Sequence, residues 1–215
     1  MNYKIGFSTI EFNQISGMQL KSTGIEDLLT KNHLEYKKII VENILKETIP
    51  VCINAVYKNP SSMRTDAPKA FSCSSLISYL YTQAGVWMPS LSIDKYVFGA
   101  PVSKEDLKFG DLVFSNTGKG VIRTETVEYR PRTPVPEGVD HVGMYMGENK
   151  ILHATKKFGG VVIETLEDFE KTSKIVGFRR VADINEERLV VTIPEDKKEL
   201  QNKKKLIDKI AKCEK

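Results

Sequence analysis

The sequence predicts an α+β fold. Helical spacing dominates the first third, a short helix led by a cysteine follows, and brief apolar runs separated by turns fill the remainder. Between residues 25 and 57, Leu28, Leu29, Tyr36, Ile39, Ile40, Ile44 and Leu45 recur near three-and-four intervals, which predicts helix. Glu42 and Lys46 add an i,i+4 ion pair, and Pro50 is expected to break or restart that helix. Residues up to Gly17 read as a short strand or an irregular arm. Residues 58–70 read as a loop, punctuated by Asn59-Pro60-Ser61-Ser62 and Ala67-Pro68.

Strands are then expected at residues 111–115, 141–146, 151–154, 161–164 and 175–181, with a helical turn at Asp168-Phe169-Glu170. Residues 189–193 read as a further strand. Residues 195–215 form a charged helix candidate with a narrow apolar stripe of Leu200, Leu206, Ile207, Ile210 and Ala211.

The chemistry concentrates at Cys73. Ser72 suits a helix N-cap and Gly85 suits the left-handed residue that ends a helix. Between them Cys73, Leu76, Ile77, Leu80 and Ala84 share one face, so the thiol points toward the protein body. Taken alone, Cys73 fits a core stripe equally well. Two of the chain's three histidines, His141 and His153, alter that reading. They flank a hairpin signal at Gly147-Glu148-Asn149. A three-residue loop pairs Gly143 with His153 and puts His141 on the same face, roughly 7 Å away on the diagonal. A two-residue loop separates the rings unless a bulge intervenes. A thiol at a helix start beside an imidazole is a nucleophile with its base, so the chain reads as a cysteine hydrolase.

Four short motifs now stand in order: Phe71-Ser72-Cys73-Ser74; Leu107-Lys108-Phe109-Gly110-Asp111-Leu112-Val113-Phe114; His141-Val142-Gly143-Met144-Tyr145-Met146-Gly147; and Ile151-Leu152-His153-Ala154. Together they resemble the NlpC/P60 cysteine peptidases over residues 41–181. The resemblance implies a papain-like fold, with N-terminal helices packed on a small antiparallel sheet of about five or six strands. It implies endopeptidases that cut peptidoglycan stem peptides, commonly beside D-γ-glutamyl residues. It casts Cys73 as nucleophile, His141 as base and His153 as the orienting residue. It places Tyr57, Ser72 and Ser74 about the substrate. The alternatives are a cysteine amidase or acyltransferase on a non-wall amide, and an inactive domain that binds wall peptides.

The sequence also departs from the family. Ser72 stands where an aspartate is usual, and Ser75 where glycine is usual and where a side chain fills space near the cleft. The link at residues 115–140 is long; its segment 124–130 reads as a strand, followed by Pro131, Pro134 and Pro136. That insertion either walls the cleft, with Arg123, Arg130 and Arg132 meeting acidic substrate groups, or forms a solvated hairpin. The expected organisation is an N-terminal extension at 1–40, a catalytic domain at 41–182, and a strand with a charged tail at 183–215.

Composition narrows the partners. A net charge of +4 drawn largely from the tail is poor evidence for nucleic acid. No apolar run reaches membrane-spanning length. Residues 1–10 lack the apolar core of a secretory leader, which leaves a cytoplasmic, phage-borne or exported enzyme open. Cys52, Cys73 and Cys213 form no disulfide framework. A zinc site of Cys73, His141 and His153, with Asp140 nearby, lacks any closely spaced ligand pair, so no metal or other cofactor is expected. The expected partners are stem peptides or muropeptides.

Overall fold

The computed structural model describes residues 3–127, 129 and 135–212. The chain begins with β1 (Tyr3–Ser8), α1 (Thr9–Ser16), α2 (Ser22–Lys31), β2 (Glu35–Ile40), α3 (Val41–Cys52), β3 (Val56–Tyr57) and β4 (Ala70–Phe71). It continues through α4 (Cys73–Gln83), α5 (Ser92–Phe98), β5 (Ala100–Val102), β6 (Leu112–Asn116), β7 (His141–Gly147) and β8 (Lys150–Thr155). It closes with β9 (Gly160–Thr165), α6 (Leu166–Thr172), β10 (Lys174–Arg180), β11 (Glu187–Ile193) and α7 (Lys203–Ala211). Two compact units result: residues 1–44, 84–86 and 185–215 form the smaller, and residues 45–83 and 87–184 the larger.

In the smaller unit β11 pairs antiparallel with β1 on one side and β2 on the other. Ser8 caps α1 through a reciprocal pair: the Glu11 amide donates to the Ser8 hydroxyl, and the Ser8 amide donates to the Glu11 carboxylate. Phe7, Phe12, Leu28, Leu29, Val191, Leu206, Ile207 and Ile210 share one buried cluster. The chain's two ends therefore build a common core. Neither a lone hairpin nor the narrow stripe of α7 buries its apolar face unaided.

Helical spacing misreads residues 35–40, which form β2. His33, with φ +51°, turns the chain after α2, and the ladder to β11 then overrides the local pattern. Pro50 does not break α3; it lies near the helix C-terminus, where little of the ladder is lost. Ile207 has no exposed surface. Ile207→Ala is expected to lower unfolding stability by about 2–5 kcal/mol, read by chemical denaturation.

The larger unit carries a sheet of order β4-β3-β9-β8-β7-β6-β10-β5. Its middle is the expected antiparallel stack, the five long strands β6 to β10. The surplus over the five or six expected comes from two- and three-residue edge pieces, too short to show alternation, and β3 pairs parallel with β4. Helix α4 packs across β7 and β8. Val113, Ile151, Leu166, Phe169 and Phe178 form a buried cluster, to which α6 contributes two members.

The segment after β6 differs from expectation. Residues 117–127 form no strand. Asp140 closes the base of the loop: its carboxylate accepts the Thr117 amide at 2.8 Å, the Thr117 hydroxyl at 2.7 Å and the Gly120 amide at 2.9 Å. Further out, the Thr126 hydroxyl donates to Asp94, and the Tyr129 ring packs against Trp87 and Phe98. Side-chain docking, not a ladder, holds this segment. Arg123 is exposed. Arg130, Arg132, Pro131, Pro134 and Cys213 lie outside the described residues.

Candidate active site

Cys73 is the first residue of α4, and the start of that helix is locked by serines. The Ser75 amide donates to the Ser72 hydroxyl at 3.2 Å, and the Ser72 amide donates to the Ser75 hydroxyl at 2.9 Å. This is a capping box with serine at its third position. Ser61, from the preceding loop, accepts the Ser72 amide at 2.8 Å and lies 2.6 Å from the Ser75 hydroxyl. Ser75 thus ties the helix start to that loop; it is more than a filler of space.

Ser74 faces elsewhere. Its hydroxyl donates to the Ser90 carbonyl and accepts from Lys95 Nζ at 2.8 Å. Lys95 is fully buried and also donates to the carbonyls of Pro89 and Ser90, at 2.7 and 2.8 Å. Three acceptors match the three hydrogens of an ammonium. Burial pulls in the opposite direction and lowers its pKa to about 7, partly offset by the nearby charges of Cys73 and Asp94. Sequence reading missed Lys95 because a single lysine in α5 carries no periodic signal. The hydroxyls of Ser72 and Ser74, expected near substrate, are both engaged inside the protein.

The β7–β8 hairpin positions the two histidines. Its turn has two residues, Glu148 and Asn149, with φ +49° and +59°, the left-handed pair of a tight hairpin. Alone, that turn would separate the rings. The register shifts between Tyr145 and Gly147, and this bulge restores the Met144–Leu152 pairing that aligns Gly143 with His153. His141 Nε2 consequently lies 2.8 Å from His153 Nδ1. Gly143 lets β8 approach β7 closely at this point. A Cβ there would meet Ile151 Cγ2 at 2.6 Å and His153 Cβ at 3.3 Å.

The thiol meets this pair. Burial raises the Cys73 pKa, but hydrogen bonding and charge from His141, with the amides of Val142 and Ser74 donating to sulfur, bring it below the ordinary value. With His141 Nε2 engaged by His153, Nδ1 is the nitrogen left for the thiol. Burial, the His141 charge and the Lys157 charge push the His153 pKa down to about 3, so this ring is neutral at working pH. Tyr57 stands beside the thiol: burial and the Cys73 charge raise its pKa, so its hydroxyl stays protonated. Asp140, next to His141 in sequence, is drawn instead to the loop base. Among the described residues no group of histidine, cysteine, aspartate and glutamate has the arrangement of a metal site.

Cys52 gives an internal comparison, because burial alone raises its pKa to about 11. Near pH 7 iodoacetamide should therefore alkylate Cys73 within minutes and leave Cys52 untouched over the same interval, as read by peptide mass mapping. Equal labelling would mean that the Cys73 thiolate is not favoured.

The larger unit is an α+β domain that sets a helix-borne thiol beside paired histidines on an antiparallel sheet. A family model described as NlpC/P60 family matches residues 59–125. A gamma-DL-glutamyl hydrolase of Bacillus subtilis is 30% identical over 114 residues, 52% of this chain and 23% of that one. A probable endopeptidase of Haemophilus influenzae is 35% identical over 81 residues, 38% of this chain and 40% of that one. This chain thus spans less than half the length of either relative. Among solved structures, an NlpC/P60 family protein of Bacillus cereus shares the fold at 23% identity and TM-score 0.52, over 66% of this chain and 40% of that one. The peptidoglycan hydrolase RipB of Mycobacterium tuberculosis does so at 18% identity and TM-score 0.50, over 81% and 85%. Through its larger unit the chain is similar to NlpC/P60 family proteins in sequence and in fold.

Proposed function

We propose that the chain is a cysteine endopeptidase that hydrolyses amide bonds in peptidoglycan stem peptides, of the D-γ-glutamyl type. The observation that carries this reading is the line of Cys73, His141 and His153, with the imidazoles 2.8 Å apart and the thiol pKa lowered. The relatives, a gamma-DL-glutamyl hydrolase and a probable endopeptidase, support the substrate class.

In the proposed reaction the Cys73 thiolate attacks the amide carbonyl and forms the C–S bond. The resulting oxyanion receives the Cys73 backbone N–H, which has no acceptor within the first helical turn, and the Tyr57 hydroxyl. His141 gives its proton to the leaving amine as the C–N bond breaks. It then takes a proton from water, whose hydroxide attacks the thioester and releases the acid. Collapse of this second tetrahedral intermediate breaks the C–S bond, and the released thiolate faces His141, which keeps the proton from water as an imidazolium. His153 accepts from His141 Nε2–H throughout and holds the ring in plane.

The locked serines at the helix start present neutral groups where the usual family aspartate presents a charge. Substrate recognition here therefore proceeds without an anion at position 72. Incubation with defined stem peptides, followed by mass spectrometry of the products, tests the reading. A single new pair of termini supports it, and intact peptides across the panel contradict it.

A further inference from the structure

His153 has a second neighbour that the three-residue line leaves unused. Its Nε2 lies 3.1 Å from Glu164 Oε1. Both side chains are more than nine-tenths buried, and neither atom has a hydrogen-bond partner as the groups stand. The sheet explains the approach. His153 pairs with Val162 across β8 and β9, so Glu164, two residues on, lies on the same face at the diagonal position. The other neighbours of the His153 ring are His141 on β7, the Phe169 ring of α6 at 5.2 Å, and the Lys157 ammonium beyond β8, which lies 3.8 Å from Glu164 Oε2.

We propose that Glu164 is a positioning residue, the fourth member of a directed chain that runs Cys73–His141–His153–Glu164. This rests on the reading of Cys73 and His141 as nucleophile and base. A carboxylate only accepts, so it favours the His153 tautomer with its proton on Nε2. Nδ1 of His153 then carries a lone pair and accepts from His141 Nε2–H. That leaves His141 Nδ1 as the nitrogen that exchanges a proton with the thiol. If His153 instead carried its proton on Nδ1, it would donate to His141 Nε2. The neutral His141 proton would then sit on Nδ1, facing sulfur, and His141 would have no lone pair there for the thiol proton. One buried carboxylate thereby sets the direction of both imidazoles. No tripeptide spacing announces it, because Glu164 joins the histidines only through the β8–β9 register.

The test combines the intact chain, Glu164→Gln and Glu164→Ala. Imidazole ¹⁵N shifts report the tautomer, and the pH dependence of Cys73 alkylation reports the thiolate; neither needs a substrate. Wild type is expected to show His153 as the Nε2–H form. Glu164→Gln retains an acceptor oxygen and should keep that form and most of the alkylation profile. Glu164→Ala should populate the Nδ1–H form, move the alkylation midpoint to higher pH and lower kcat/KM roughly tenfold or more, mainly in kcat. Lys157→Met leaves the carboxylate in place and should keep the wild-type tautomer. A wild-type tautomer and alkylation profile in Glu164→Ala would overturn the proposal while leaving the peptidase reading intact. Failure of wild type to cleave any stem peptide, with the tautomer shifts as expected, would strike the peptidase reading and not this one.

Discussion

Cys73→Ala is expected to reduce stem-peptide cleavage by at least about a thousandfold. The loss follows from the proposed mechanism, in which the oxyanion donors and the binding surface remain while the atom that forms the C–S bond is gone. Stability should change little. The substitution deletes one sulfur, and the capping contacts of Ser72 and Ser75 use neither the sulfur nor its proton. Equal thermal midpoints with lost turnover would locate the effect in chemistry. A variant with full activity would remove Cys73 from the reaction.

The histidines should separate in their effects. His141→Ala is expected to approach the Cys73→Ala level, because it removes the group that moves the proton and supports the thiolate. His153→Ala is expected to retain more activity, with a loss of about a hundredfold, since it orients a proton carrier and does not carry the proton itself. His153→Asn should recover part of that loss. Its amide oxygen is an acceptor for His141 Nε2–H, although it reaches less far than Nδ1, which lies 2.8 Å from its partner. Steady-state kcat/KM on one stem peptide for the three variants checks the order. Wild-type activity in His153→Ala would make His153 a sheet residue alone.

How much of this was legible depends on the range of the interactions. Ser72 as N-cap and Gly85, with φ +66°, as the left-handed stop could be read locally, because backbone geometry at helix ends demands those residue types. The hairpin was legible but its turn was not. Gly147-Glu148-Asn149 fits two loop lengths, and the bulge that aligns His141 with His153 is set by pairing, not by any residue in the turn. β2 was misread because Tyr36, Ile39 and Ile40 satisfy helical spacing as well as a strand, and the partner that decides between them lies about 150 residues away in β11. Lys95 and Glu164 were invisible for the same reason. Each acquires its meaning from a neighbour on another element. The insertion misled through its β-branched residues, Thr124, Thr126 and Val127, which have strand propensity but find no ladder to join.

The decisive comparison is cleavage of a defined stem peptide by the wild-type chain and by Cys73→Ala, in parallel at neutral pH and read by mass spectrometry. The proposed thiol mechanism requires one cleaved amide in the wild type, none above background in the variant, and a Cys73-linked acyl adduct on rapid acid quench of the wild type. Cleavage that persists in Cys73→Ala, or a panel of stem peptides left whole by a wild type whose Cys73 alkylates rapidly at pH 7, would contradict it.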